Sequence, residues 1–245
     1  MEDAWDDWPR QMLRSARKTV GLPASSDVAI VAKMLTPVLE LVAETDESPV
    51  STLISFPALR GLYQEDIIDA ALYVGLRKIG DGYQRHPHEL VAAFASNGLG
   101  LNASDDEPNK FPVRPTLLVE YTEVALLLHH SWMDKAIEIS WPHMQLQMSF
   151  DMGSNHRTTE EDVRDFVLSF LYDEYERIGG PIPKQVTILV TGSAQSLADG
   201  KVDRAATVAV KALGSEIELF SKNPEYMAAR GAAELVRNFA GTNCL

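Results

Sequence analysis

The chain has 245 residues, 45% of them hydrophobic, enough for one large domain or two lobes with separate cores, and its 23% charged fraction is ordinary for a folded chain. A formal net charge of −13 and a pI near 4.9 argue against nucleic acid or an anionic membrane as partner. Cys244 is the one cysteine, so no intramolecular disulfide forms, and no apolar run nears the roughly 18 residues that span a bilayer; the expected location is cytoplasmic.

Trp8 to Val20 reads as a short amphipathic helix stopped by Gly21-Leu22-Pro23. Arg10, Arg14, Arg17 and Lys18 read as its solvated face. Ser25, Ser26 and Asp27 offer a cap for a helix over 28–44, in which Pro37 predicts a kink or a break. Val50 to Phe56, bounded by two prolines, reads as a buried strand. A helix over 63–76 follows, then a short strand over 80–83. Pro87 sits in the first turn of a helix reaching Asn97, with Gly98 as its stop. The polar stretch 102–115, with Asp105-Asp106-Glu107-Pro108, reads as a linker.

Beyond the linker, 116–128, 135–140 and 146–150 read as strands, with His129 and His130 at a strand end or turn. Thr158 and Thr159 ahead of Glu160, Glu161 and Asp162 predict a helix start with acids at the positive end of its dipole, and Gly179-Gly180 its end. Val186 to Val190 is a continuous apolar run, as in a strand covered on both faces. A helix over 201–213, a strand over 216–220 and a helix over 225–239 complete the chain. The second half is thus β-β-β-α-β-α-β-α and the first α-β-α-(β)-α, the same order without its opening three strands. The predicted domains are a truncated first lobe (1–101), the linker (102–115) and a complete second lobe (116–245).

That order resembles the actin-like ATPase superfamily, and three segments resemble Hsp70 in particular. Ser51-Thr52-Leu53-Ile54-Ser55-Phe56-Pro57-Ala58 is similar to an Hsp70 strand ending in Val-Pro-Ala. Arg85-His86-Pro87-His88-Glu89 with Gly98-Leu99-Gly100-Leu101 looks like the Asn-Glu-Pro-Thr helix and its stop. Ile188-Leu189-Val190-Thr191-Gly192-Ser193 and Ala228 to Glu234 look like the adenosine motif and the closing helix. The resemblance, nearest to divergent fungal Hsp70-like proteins, implies an α/β fold of ribonuclease-H-like lobes, the first missing its opening three-strand hairpin.

The departures carry the functional expectation. Nothing ahead of Val28 resembles the first Asp-x-Gly-Thr phosphate loop, and Glu120-Tyr121-Thr122-Glu123-Val124 stands where the second, glycine-rich loop belongs. Glycines there let backbone N–H groups approach an oxyanion. Tyr121 fills that space, and Glu123 repels a phosphate by several kcal/mol at about 4 Å. The chain is therefore not expected to be an ATPase, and no metal or other cofactor is implied. Losing the hairpin would leave an exposed edge at the strand around Leu53, to be covered either by the N-terminal helix or by a second copy in a homodimer, and self-association is the expectation carried forward.

Two functions stay open. One is a cofactor-independent cyclase of fungal specialised metabolism, of Diels-Alder type, acting on a hydrophobic small molecule in an apolar pocket between the lobes. Such a reaction needs chiefly a shaped cleft and a donor to a carbonyl. His86, His88 and Tyr121 are the candidate catalytic donors. Arg85, Glu89, Thr122, Glu123, Gly192 and Ser193 are the candidate substrate-binding residues, and no metal ligands are assigned. The other function is a non-catalytic pseudo-ATPase acting as scaffold or chaperone-like binding protein.

Overall fold

A computed structural model describes residues 7–44, 53–59, 61–76, 87–101, 112–136 and 145–242. Two compact units divide the chain between His86 and Pro87. The division falls ahead of the stretch 102–115 expected to link two lobes, of which 102–111 lie outside the described residues. The helix after Pro87 explains the shift, because it packs against the C-terminal helix of the second unit.

In unit 1, α1 (Trp8–Thr19), α2 (Ser26–Ala43) and α3 (Gln64–Tyr73) are the described elements, and no strand is formed among its described residues. The Ser25 hydroxyl caps α2 by accepting from the Val28 amide at 3.1 Å. Pro37 is accommodated inside one 18-residue helix and does not end it. The strand expected at 50–56 is not formed over its described residues 53–56, and Pro57 removes a ladder donor at its end. The exposed edge expected there is therefore not observed. The short strand expected over 80–83 lies outside the described residues.

The basic face of α1 is not solvated. Arg14 is 2% exposed. Its guanidinium donates to Asp66 at 2.5 Å, to Asp69 at 2.6 Å and to the Glu65 carbonyl at 3.3 Å. Lys18 reaches Asp69 at 3.0 Å, and Arg10 pairs with Glu65. Three carboxylates in the opening turns of α3 are buried, and buried carboxylates need a cation. That demand turns the polar side of α1 inward and leaves Trp8, Met12 and Leu13 exposed.

Unit 2 is built on β1 (Arg114–Tyr121), β2 (Leu126–Met133), β3 (Gln145–Ser149), β4 (Gln185–Gly192) and β5 (Glu216–Phe220), in the order β3-β2-β1-β4-β5. β2 is antiparallel to β1 and β3, whereas β4 and β5 run parallel to β1. This is the ribonuclease-H-like order expected for 116–245. The single strand expected over 116–128 is a hairpin: β1 ends at Tyr121 and a four-residue turn starts β2 at Leu126. His129 and His130 consequently lie inside β2, fully buried, and not at a strand end. Of the strand expected over 135–140, residues 135 and 136 lie past the end of β2 and the rest outside the described residues.

The helices of unit 2 are α4 (Glu89–Ser96), α5 (Glu160–Ile178), the single turn α6 (Ala194–Leu197), α7 (Lys201–Ala212) and α8 (Met227–Thr242). Thr159 and Asp162 form the capping box expected at the start of α5, with 2.8 Å and 3.1 Å hydrogen bonds between them. α5 and α7 cover one sheet face with Val163, Val167, Leu171, Ala206 and Val210 against Leu117, Val119, Ile188 and Val190. α4 joins β4 and packs closely on α8, where Gly231 meets the backbone of Ala92. Among the described residues no helix is long and apolar enough to cross a membrane.

Candidate functional site

Successive side chains of a strand point to opposite faces. In β1 this sends Leu117, Val119 and Tyr121 into the core under α5 and α7, and Thr116, Leu118 and Glu120 to the opposite face. Tyr121 is fully buried, and its hydroxyl has no hydrogen-bond partner. The Lys201 ammonium lies 5.2 Å from the centre of its ring. The phenol named as a donor is therefore a core residue, held on the far side of the sheet from its neighbour Glu120.

Glu120 is the residue that the sequence reading passed over. The parallel register of β1 and β4 sets it beside Thr191. Glu89, in the first turn of α4, brings its carboxyl against both. Burial, and then the charge of and a hydrogen bond with Glu89, push the Glu120 carboxyl up to about 9. Burial raises Glu89 as well, against the opposing influence of Thr191 and Glu120. Two carboxylates this close do not both ionise, so the pair keeps a proton at neutral pH, and Glu120 is its donor. The second Glu120 oxygen, Oε2, is buried with no hydrogen-bond partner among the described residues.

His88 is the N-cap residue of α4, and its ring stands perpendicular to that of His129 at 6.4 Å. Burial, followed by the charges of His88 and His130, pushes His129 down to about 3, so it is neutral at physiological pH. His130 points to the other face. Its Nε2 lies 3.5 Å from the Tyr175 hydroxyl and its Nδ1 3.7 Å from Glu174. Burial would raise Glu174, but His130 and Arg177 outweigh it and hold the carboxyl below its usual range. Burial and that neighbouring charge raise the Tyr175 phenol.

Thr122 and Glu123 form the turn between β1 and β2, in the place of a phosphate loop. Its amides are already used: those of Val124 and Ala125 donate to the Thr122 hydroxyl at 3.4 Å and 3.2 Å, and that of Thr122 to the Ala125 carbonyl at 3.0 Å. The loop after β3 clamps the turn, through Ser154 and Asn155 amides donated to the Thr122 and Glu123 carbonyls at 2.9 Å each. Gly192 and Ser193 end β4 beside it. Gly192 has φ +139°, and a Cβ there would lie 1.9 Å from the Tyr121 carbonyl oxygen. The Ser193 hydroxyl donates to Glu123 at 2.7 Å and lies 2.7 Å from Ser196, which in turn meets Ser154 at 2.8 Å. The Ser193 hydroxyl and the Glu123 amide hold the half-buried Glu123 carboxyl below the usual range. A nucleotide phosphate with its metal does not fit this turn, since its donors are already engaged and the side chain it presents there, Glu123, is a carboxylate.

The structure thus brings together His88, an expected catalytic donor, and Glu89, an expected substrate-binding residue, with Glu120, Thr191 and His129, which were not among the candidate site residues. It separates them from Tyr121, which faces the other way, and places Thr122, Glu123, Gly192 and Ser193 in a self-satisfied strand-end network. Arg85 and His86 lie outside the described residues. Among the described residues no group of three His, Cys, Asp or Glu side chains is arranged to hold a metal ion.

No known family model matches the chain, and no curated protein matches it in sequence. Solved structures do. A native crystal structure of Ta0583, an archaeal actin homologue, superposes with a TM-score of 0.50 at 9% identity, covering 89% of this chain and 78% of that one. A selenomethionine crystal of the same homologue gives 0.48 at 8% identity, over 83% and 74% of the two chains. The first likeness, together with the sheet order, establishes an actin-like α/β fold.

Proposed function

We propose that the chain uses this actin-like fold without hydrolysing nucleoside triphosphates, and that its working group is the neutral carboxylic acid of Glu120. The observation that supports the reading is the Glu89–Glu120 pair, in which burial and the adjacent carboxyl keep Glu120 protonated to about pH 9. The pair's one O–H is donated by Glu120 to Glu89; in the reaction Glu120 turns it onto the substrate carbonyl, leaving Glu89 on Thr191, and donates without carrying charge as negative charge develops there. The reaction that this arrangement suits is the cofactor-independent cyclisation of a hydrophobic small molecule. An apolar diene and an unsaturated carbonyl are held together, and the donor acts on the carbonyl oxygen. Both new bonds form from the substrate's own π electrons, so nothing is oxidised or reduced. A cytoplasmic protein of a divergent fungal Hsp70-like lineage is the finer identity that the three quoted segments support.

Two measurements test the reading. Calorimetric titration with ATP and magnesium should show no heat of binding, and micromolar affinity would sink the non-hydrolysing half. The second follows conversion of a linear triene bearing an α,β-unsaturated ketone. Loss of a positioned donor costs roughly 100-fold in rate, so Glu120→Ala should show such a drop. Wild-type activity should fall as pH rises through about 9. Equal rates for wild type and Glu120→Ala would overturn the catalytic half.

A second reading, a non-catalytic scaffold, is supported by the apolar side chains that unit 1 exposes on α1 and α2, such as Trp8, Met12, Met34 and Leu41. Self-association belongs to it, and a monomeric mass by light scattering at micromolar concentration counts against it.

A further inference from the structure

Unit 1 holds a cavity of about 580 Å³ between α2 and the extended segment before α3, lined chiefly by Ile30, Met34, Ile54, Phe56, Leu59 and Leu62. The way α2 packs accounts for the space. Its buried contacts with α3 are made by small side chains, Val28 and Ala32 against Ala70. Small residues bring helices close and leave the larger side chains of α2 to stand beside the seam. Ile30 and Met34 are 59% and 68% exposed although both line the cavity, so one wall is open to an incoming molecule.

One charged group marks the rim of the apolar lining. Asp27, exposed in the first turn of α2, places a carboxylate at the rim. The size falls within the range of small-molecule sites, and an apolar wall with a few placed polar groups is their usual composition.

We infer that this cavity binds a neutral or amine-bearing apolar small molecule, and that the Asp27 carboxylate at its rim rejects acidic counterparts. The apolar body covers Ile30, Met34, Phe56 and Leu62. A carboxylate headgroup meets like charge at Asp27, which costs affinity, whereas an ammonium gains there. The site is independent of the Glu120 reading, because all of its residues lie in unit 1.

Nile red, a neutral apolar dye, is the probe, titrated into the full-length protein and then displaced by an alkanol, an alkylamine and a fatty acid of one chain length. Wild type should enhance the dye's emission at a one-to-one stoichiometry, and the alkanol and alkylamine should displace it at lower concentration than the fatty acid. Met34→Trp and Ile30→Trp replace exposed side chains by one that fills the cavity, and each should weaken dye binding by roughly tenfold or more. Asp27→Asn should remove the discrimination against the fatty acid. No dye binding to wild type, or unchanged binding in both tryptophan variants, would overturn the site. Equal displacement by all three ligands in wild type would overturn its charge selectivity.

Discussion

The sheet unit buries large side chains on both faces of its three central strands, with Leu117 and Ile188 on one face and Leu118 and Leu189 on the other fully enclosed. The helical unit has a thin core of Ala24, Val28, Ala32 and Ala70, and α1 is held to α3 by a buried ion cluster. One unit is stabilised by area removed from water, the other to a large extent by charge satisfaction. Apolar surface follows the same division. Unit 2 encloses most of its large hydrophobics, whereas α1 and α2 present Trp8, Met12, Met34 and Leu41 outward. A helix whose polar side is claimed by buried partners has only its apolar side left to show.

The sharpest test of this contrast is Arg14→Ala. It removes the buried guanidinium that Asp66 and Asp69 share, leaving Asp69 only the half-exposed Lys18 and Asp66 only Arg10 at 3.5 Å, and breaking such a cluster costs about 3–5 kcal/mol. Chemical denaturation of the full chain should show that loss in the transition of unit 1. A loss below about 1 kcal/mol, the scale of a surface pair, would mean that α1 is held by other contacts.

Gly231→Ala probes the close packing of unit 2. A Cβ there would lie 1.6 Å from the Ala92 carbonyl oxygen, so α8 must move off α4. A loss of about 3 kcal/mol is expected, the upper end for overpacking. Thermal melts would register it, and an unchanged melting temperature would show that the two helices are free to separate.

Glu120→Gln probes the polar side of the sheet, with the opposite sign. Between its ordinary 4.5 and about 9, native Glu120 holds a proton that the unfolded chain has released, so wild-type stability falls as pH rises through that window. The glutamine cannot ionise. It should therefore gain on wild type as pH rises from about 5 to 9, by about 2 kcal/mol, the scale of a relieved buried polar group. His129 acts in the other direction. Its folded value near 3 lies below the ordinary 6.5, so its contribution is present above 6.5 and is lost as pH falls toward 3. Melting curves across pH 4–9 separate the two.

Thr159→Ala removes half of the capping box of α5, and a loss of about 1 kcal/mol is expected by denaturation. It is the smallest effect because the cap is exposed and local.

The α5 start was legible because a cap is a pattern of four neighbouring residues, and Thr159 and Asp162 carry it. The apolar run at β4 was equally plain. The hairpin was not, because the turn between Tyr121 and Leu126 contains no glycine or proline to mark it, and 116–128 reads as one strand. That error moved His129 and His130 from the middle of a buried strand to its end. The candidate site was half legible. His88 and Glu89 were named for their place at a helix start; Glu89 is one half of the acid pair and His88 is its neighbour in the chain. Tyr121 was chosen over Glu120 although they are adjacent, and adjacency in a strand means opposite faces. A charged residue inside an apolar strand was the available signal.

Composition, helix caps and apolar runs are local, and by themselves they marked the helices and the strand β4, while the ribonuclease-H-like character of the second half was implied by the resemblance to a family. The pairing of Glu89 with Glu120 joins residues far apart in the chain, as does the seating of Arg14 among Glu65, Asp66 and Asp69. Only the tertiary structure decided these, because a proton shared between two carboxyls and a cation buried among three depend on distances that no local pattern encodes. The phosphate turn belongs to both. Its missing glycines are visible in the sequence, but that Thr122 consumes its amides and Ser193 engages Glu123 emerges only once the strands are paired.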